Sequence, residues 1–153
     1  MDAIPELRFG EYLFSTEKDK LDVGVIYGWL STSYWSPGIA RELVVKSIEN
    51  SICIGIYKGI QQVGFARIIT DMSTFAYLAD VFVDESHRNQ GLSKKMMEWI
   101  MTFDFVPGLR RFLLATLDAH GLYEQYGFKL IERPDRFMEI HKPDIYATKP
   151  TTP

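Results

Sequence analysis

Arg88, Gly91, Ser93 and Lys94 stand between an apolar run that ends at Val83 and an amphipathic run that begins near Leu92. A helix that starts here leaves its first N–H groups without intrahelical acceptors, and its dipole adds roughly half a positive charge at that end. The N–H groups from Gln90 to Lys94 would then converge on one spot, where a phosphate is a natural guest. A plainer alternative is a strand-to-helix turn, with Gly91 for flexibility and the lysines for solubility. The spacing fits neither a P-loop nor the G-x-G-x-x-G dinucleotide fingerprint.

Other reactive side chains are scattered. Cys53 alternates inside an isoleucine-rich strand and reads as buried packing rather than as a nucleophile. His87, His120 and His141 are too widely spaced for a metal-ligand cluster, and no metal is expected. No Gly-x-Ser-x-Gly elbow is present for a serine hydrolase. Asp80 lies in an apolar strand on the face of Leu78 and Phe82; burial there would suit it to accept a proton, or it serves as a structural partner. His120 is a second candidate base because of its residue type, but its place before Gly121 equally suits a helix cap or a supporting role.

The elements that position these residues follow from periodicity. Leu21, Val25, Ile26, Trp29 and Leu30 share one helical face, and Ile39, Leu43, Val44 and Ile48 another. Pro37 between them is well placed at the second helix start. From Ser51 the period becomes two, giving strands over 51–57, 61–70 and 75–83 joined by short turns and hence antiparallel. A helix on the stripe Leu92, Met96, Met97, Ile100 and Phe103 follows, then a strand over 110–117 and a short helix over 118–126. Strands over 128–133 and 136–142 close the chain, and a further strand is expected near residues 10–15. The strand–helix–strand unit calls for a parallel pair, so the expected fold class is α/β (α+β), with a mixed sheet and helices on both faces.

At 153 residues the chain is expected to form one domain over 1–145 with a short tail over 146–153, its final KPTTP disordered. A net charge of −3 offers no global field for nucleic acid or anionic lipid. One cysteine, no signal-peptide profile and no run of about 18 apolar residues together suggest a cytoplasmic protein that does not enter a membrane.

Two motifs carry a resemblance. The segment from Val81 to Ile100 resembles the acetyl-CoA motif of the GNAT (GCN5-related N-acetyltransferase) superfamily, Gln/Arg-x-x-Gly-x-Gly/Ala after an apolar strand. Arg88, Gly91 and Ser93 occupy its three defined positions, serine replacing the usual glycine or alanine. The segment from Leu114 to Phe128 is similar to the family's second block, with Ala119, Leu122, Tyr123, Glu124, Gly127 and Phe128 in register. Thr116 stands where the family often has asparagine.

The resemblance implies the GNAT fold, a mostly antiparallel twisted sheet, and transfer of an acetyl group from acetyl-CoA to a primary amine by direct attack. Pantetheine would lie along Val81, Phe82 and Val83, beside a bulge and strand splay. The diphosphate would lie on Arg88, Asn89, Gln90, Gly91, Leu92, Ser93 and Lys94, with Thr116 and Tyr126 also beside the cofactor. Tyr123 would protonate the leaving thiolate, and Tyr34, Trp35 and His120 would meet the acceptor, a small-molecule or protein amine; the general base stays open between Asp80 and His120. A homodimer is a further expectation. Open alternatives are a non-catalytic acyl-CoA sensor on the same fold and a transferase for a larger acyl group such as succinyl.

Overall fold

An N-terminal hairpin begins the sheet: β1 (Leu7–Phe9) and β2 (Tyr12–Ser15) pair antiparallel about Gly10 and Glu11. The computed structural model describes residues 3–147. Next come α1 (Val23–Ser31), α2 (Arg41–Glu49), β3 (Ile52–Lys58), β4 (Gln61–Thr70) and β5 (Phe75–Val83). Then follow α3 (Leu92–Ile100), β6 (Arg111–Leu114) and α4 (His120–Glu124). The strands lie in chain order, antiparallel throughout except β5–β6, which the α3 crossover makes parallel. The mixed, mostly antiparallel sheet is the expected one. KPTTP at residues 149–153 lies outside the described residues, so the expected disordered end cannot be placed on the structure.

Period two works out as two cores. Ile54, Ile56, Ala66, Ile68, Ala76 and Leu78 meet the α3 stripe of Leu92, Met96, Met97 and Ile100 on one face. On the other, Cys53 and Phe65 meet Ile26 and Leu30 of α1 and Val44 and Ile48 of α2. Helices therefore do cover both faces. Burial pushes the Cys53 thiol up to about 11, which suits packing and not nucleophilic work. Tyr57 shares that face, and its hydroxyl lies over Gly55, where an added Cβ would stand 2.1 Å from it. Gly55→Ala is expected to destabilise the fold by about 1–3 kcal/mol through overpacking. An unchanged urea midpoint would show that Tyr57 yields freely.

Pro37 does not start α2. Ile39 N donates to Ser36 O and Gly38 has φ +80, so Pro37 and Gly38 are the central pair of a β-turn of type II character. Gly38 is needed twice there, because a Cβ would also stand 2.4 Å from the Tyr146 carbonyl. The Ser33 and Ser36 hydroxyls both donate to Leu30 O and lie 3.0 Å apart, buried. This serine knot closes the α1–α2 connection from inside and turns Tyr34 and Trp35 outward.

The end of the chain departs from expectation. β6 stops at Leu114, and neither the strand over 128–133 nor the one over 136–142 forms. Local contacts compete with pairing. Phe128 packs edge-on against Phe112 and Tyr123, Arg133 pairs with Asp135 at a 3-10 turn begun by Pro134, and Phe137 lies under the Arg111 guanidinium at 4.5 Å. Met138 and Ile140 are left 98% and 94% exposed.

Candidate active site

Opposite β4, β5 carries one residue too many. Phe65 pairs with Phe82 and Arg67 with Ala79, so Ala66 alone faces both Asp80 and Val81. Asp80 takes φ +55 to absorb the extra residue, the geometry of a bulge. On the other side of β5, pairing with β6 ends at Leu78 and Leu114. The bulge and the splay expected from the resemblance are both present, and the β5 edge beyond Leu78 opens toward the 88–94 loop.

The bulge also corrects an expectation. Asp80 does not share a face with Leu78, because the added residue inverts the alternation. Leu78, Val81 and Val83 belong to the α3-side core, whereas Phe82 stacks on Trp29 of α1 at 4.9 Å. Asp80 points to the α1–α2 side, where Oδ2 accepts from Arg67 Nε at 2.8 Å and Oδ1 from Trp35 Nε1 at 2.9 Å. Arg67 Nη1 donates onward to Ser51 Oγ at 3.1 Å. The sequence reading missed Arg67, although a lone guanidinium inside the run from Val63 to Ile69 signals that a buried partner must exist.

At the end of β5 the chain makes a 3-10 turn over Glu85–His87 and then passes through two left-handed residues, Asn89 at φ +64 and Gly91 at φ +76. Nothing crowds the Gly91 Cβ position, so glycine serves conformation there and not close approach. Lys95 N is the first to bond back, to Gly91 O. Six consecutive N–H groups, Asn89 to Lys94, have no acceptor among the described residues. That row exceeds the four any helix start leaves over, and it gives a diphosphate a fitting cradle of donors. The Ser93 hydroxyl and the exposed Lys94 flank it. Arg88 is held back: Nε donates to Val83 O at 3.0 Å, and the guanidinium packs on the Phe82 ring.

Where β6 leaves β5, a cavity of about 290 Å³ gathers Thr116, His120 and Tyr123 with Phe112, Leu114 and Phe128. Tyr123 is 7% exposed and lines this cavity, and no side-chain hydrogen bond of its hydroxyl is found among the described residues; the fully buried oxygen left without a partner is that of Tyr57. Burial holds the phenol above its ordinary range, and the Tyr34 phenol adds to the shift. Thr116 Oγ1 accepts from Ala119 N, which fixes the entry to α4 and leaves its proton free to donate. His120 is exposed at the first turn of α4. Tyr126 is less available than expected, since its hydroxyl donates to Lys94 O at 2.9 Å and ties α4 to the start of α3. Tyr34 and Trp35 meet edge-to-face at 5.0 Å and stand exposed. Among the described residues no three His, Cys, Asp or Glu side chains gather as a metal site, and no helix is long and apolar enough to cross a membrane.

Comparison with known proteins agrees with this geometry. A GNAT-family structure from Xanthomonas campestris pv. campestris that bears an acetyltransferase name is 45% identical, with a TM-score of 0.87 over 90% of this chain and 97% of that one. The Gibberella zeae protein FG08082, which bears an acetyltransferase name, is 30% identical over 135 residues, 74% of this chain and 76% of its own. A Clostridium acetobutylicum protein that bears an acetyltransferase name and was solved with acetyl-CoA shares the fold at 13% identity and a TM-score of 0.61, covering 85% of this chain and 94% of that one. Residues 49–130 match the family model described as the acetyltransferase (GNAT) domain, and the chain belongs to that family.

Proposed function

We propose that this protein is an N-acetyltransferase that moves the acetyl group of acetyl-CoA to a primary amine, working in the cytoplasm and without a metal. The observation that carries this reading is the row of six unpaired N–H groups at Asn89–Lys94, set at the mouth of the parted β5 and β6. The backbone of Val81, Phe82 and Val83 is the edge along which the pantetheine arm would run. The neutral amine attacks the thioester carbonyl to form the C–N bond, the C–S bond breaks, and the thiolate takes the Tyr123 proton; the proton lost from nitrogen passes to solvent water, from which Tyr123 is reprotonated. Thr116 and His120 line the same cavity, and Tyr34 and Trp35 form the acceptor side.

A non-catalytic acyl-CoA sensor needs the donor cradle but not a phenol in the cavity where β5 and β6 part. Tyr123 therefore favours the enzyme. A second copy of the chain is the partner favoured by the bare Met138 and Ile140 and by the outer edge of β6, which has no strand partner among the described residues. Sedimentation equilibrium checks that point.

The deciding experiment has two arms. Calorimetry with acetyl-CoA is expected to show binding at one site per chain, and release of free thiol with a panel of small amines and lysine peptides should identify the acceptor. Binding without turnover across the panel favours the sensor, and no binding at all ends the reading. Succinyl-CoA run in parallel tests the preference for a small acyl group.

A further inference from the structure

Asp80 reached the site as a candidate base, but its surroundings give it other work. Each carboxylate oxygen already holds one donor, Trp35 Nε1 on Oδ1 and Arg67 Nε on Oδ2. Each oxygen keeps a second lone-pair site, so these bonds do not bar a proton, but they lock the carboxylate toward Arg67 and Trp35. Arg67 in turn needs Asp80. Its neighbours along β4, Ala66 and Ile68, are fully buried, and its own side chain is only 15% exposed against 10% for Asp80. Removing one member of such a pair leaves a desolvated charge behind.

The conformation of Asp80 adds an independent observation. A non-glycine residue at φ +55 is held at a cost of about 1–2 kcal/mol, so surrounding contacts must secure it. Those contacts run from Ser51 and Arg67 on the sheet, through Asp80, to Trp35 on the α1–α2 loop. One residue thus fixes both the bulge, which shapes the donor-side backbone, and the outward-facing aromatic pair. The serine knot at Ser33 and Ser36 shapes the base of the loop, but the indole N–H bond to Asp80 is what fastens its tip to β5.

We propose that Asp80 is a positioning residue for the acceptor: the chain Arg67–Asp80–Trp35 holds the Tyr34–Trp35 lip over the opened strand and thereby sets affinity for the amine. This rests on the acetyltransferase reading. Because Asp80 acts through Trp35, the two should behave as one unit in a double-mutant cycle.

The test uses Trp35→Phe, Asp80→Ala and the double variant with the best amine from the panel. Each single variant is expected to raise the amine KM by about tenfold, equivalent to about 1.4 kcal/mol, with kcat within about threefold. The double variant should be no worse than the poorer single one. The pH–rate profile should keep both limbs, and in Trp35→Phe, which leaves the bulge and the Arg67–Asp80 pair intact, the calorimetric acetyl-CoA affinity should stay put.

Three results overturn the proposal: additive KM effects, loss of acetyl-CoA binding in Trp35→Phe, or an Asp80→Ala enzyme that folds but loses kcat together with its acidic limb. The last would restore Asp80 as the base. If Asp80→Ala does not fold, Trp35→Phe decides alone, and an unchanged amine KM refutes the coupling. Amide hydrogen exchange over residues 32–38 separates this inference from the function itself. It should rise in Trp35→Phe whether or not any amine is acetylated, and unchanged exchange sinks the anchor even if the wild type is fully active. A wild type that acetylates nothing sinks the functional reading instead.

Discussion

Tyr123→Phe is expected to lower kcat for acetyl transfer by about 10²-fold while leaving acetyl-CoA affinity within about twofold. The ring is largely buried and no side-chain hydrogen bond of its hydroxyl is found among the described residues, so removing the hydroxyl breaks no such bond. Stability should change by no more than about 1 kcal/mol. General acid catalysis contributes about 10²–10⁴-fold, and the low end is expected here. Burial raises the phenol above its ordinary value, which keeps the proton on at neutral pH but makes the group a more reluctant donor.

The same direction fixes the alkaline behaviour. The proton is retained until the pH passes beyond the ordinary phenol value of about 10, so activity dependent on it should fall only above that value. The phenylalanine variant should lack that limb. Thiol-release kinetics with matched thermal melts provide the check, and undiminished turnover would remove Tyr123 from the mechanism.

Much of the frame was legible because it rests on simple periods. The alternation through Ile54 and Ile56 and the stripe from Leu92 to Ile100 each name their own core face, and the pattern survives folding unchanged. The place of the donor row was legible for the same reason, since a strand, a glycine and an amphipathic helix leave those N–H groups little choice of position. Asp80 was not. One inserted residue at the bulge inverts every face assignment beyond it, and the run from Tyr77 to Val83 carries no mark of the insertion. The partners that matter for Asp80, Arg67 and Trp35, lie 13 and 45 positions away. The last strands failed for a related reason: alternation at Met138 and Ile140 states a preference for extension but supplies no partner, while Pro134, Arg111 and the aromatic cluster around Phe128 hold the chain locally. Arg88 shows the limit of motif reasoning, because its position fits the cradle while its Nε is spent on Val83 O.

Ser93→Asp should separate the stability of α3 from its proposed work, because the two respond with opposite sign. Ser93 is the second residue of α3, beside the left-handed cap at Gly91, and its hydroxyl makes no hydrogen bond among the described residues. An acidic side chain in the first turn faces the positive end of the helix dipole and stabilises it by about 0.3–1 kcal/mol. Thermal melts should therefore rise slightly or hold. Binding should go the other way. A carboxylate about 5 Å from a phosphate charge costs about 3 kcal/mol at an effective dielectric of 20, so acetyl-CoA affinity should fall by more than about 10²-fold. Added salt should recover part of the loss through screening. A variant that melts at a lower temperature has damaged the helix and says little about the ligand. One that melts normally and still binds acetyl-CoA tightly places the diphosphate away from the Asn89–Lys94 donors, and the anion-cradle reading fails with it.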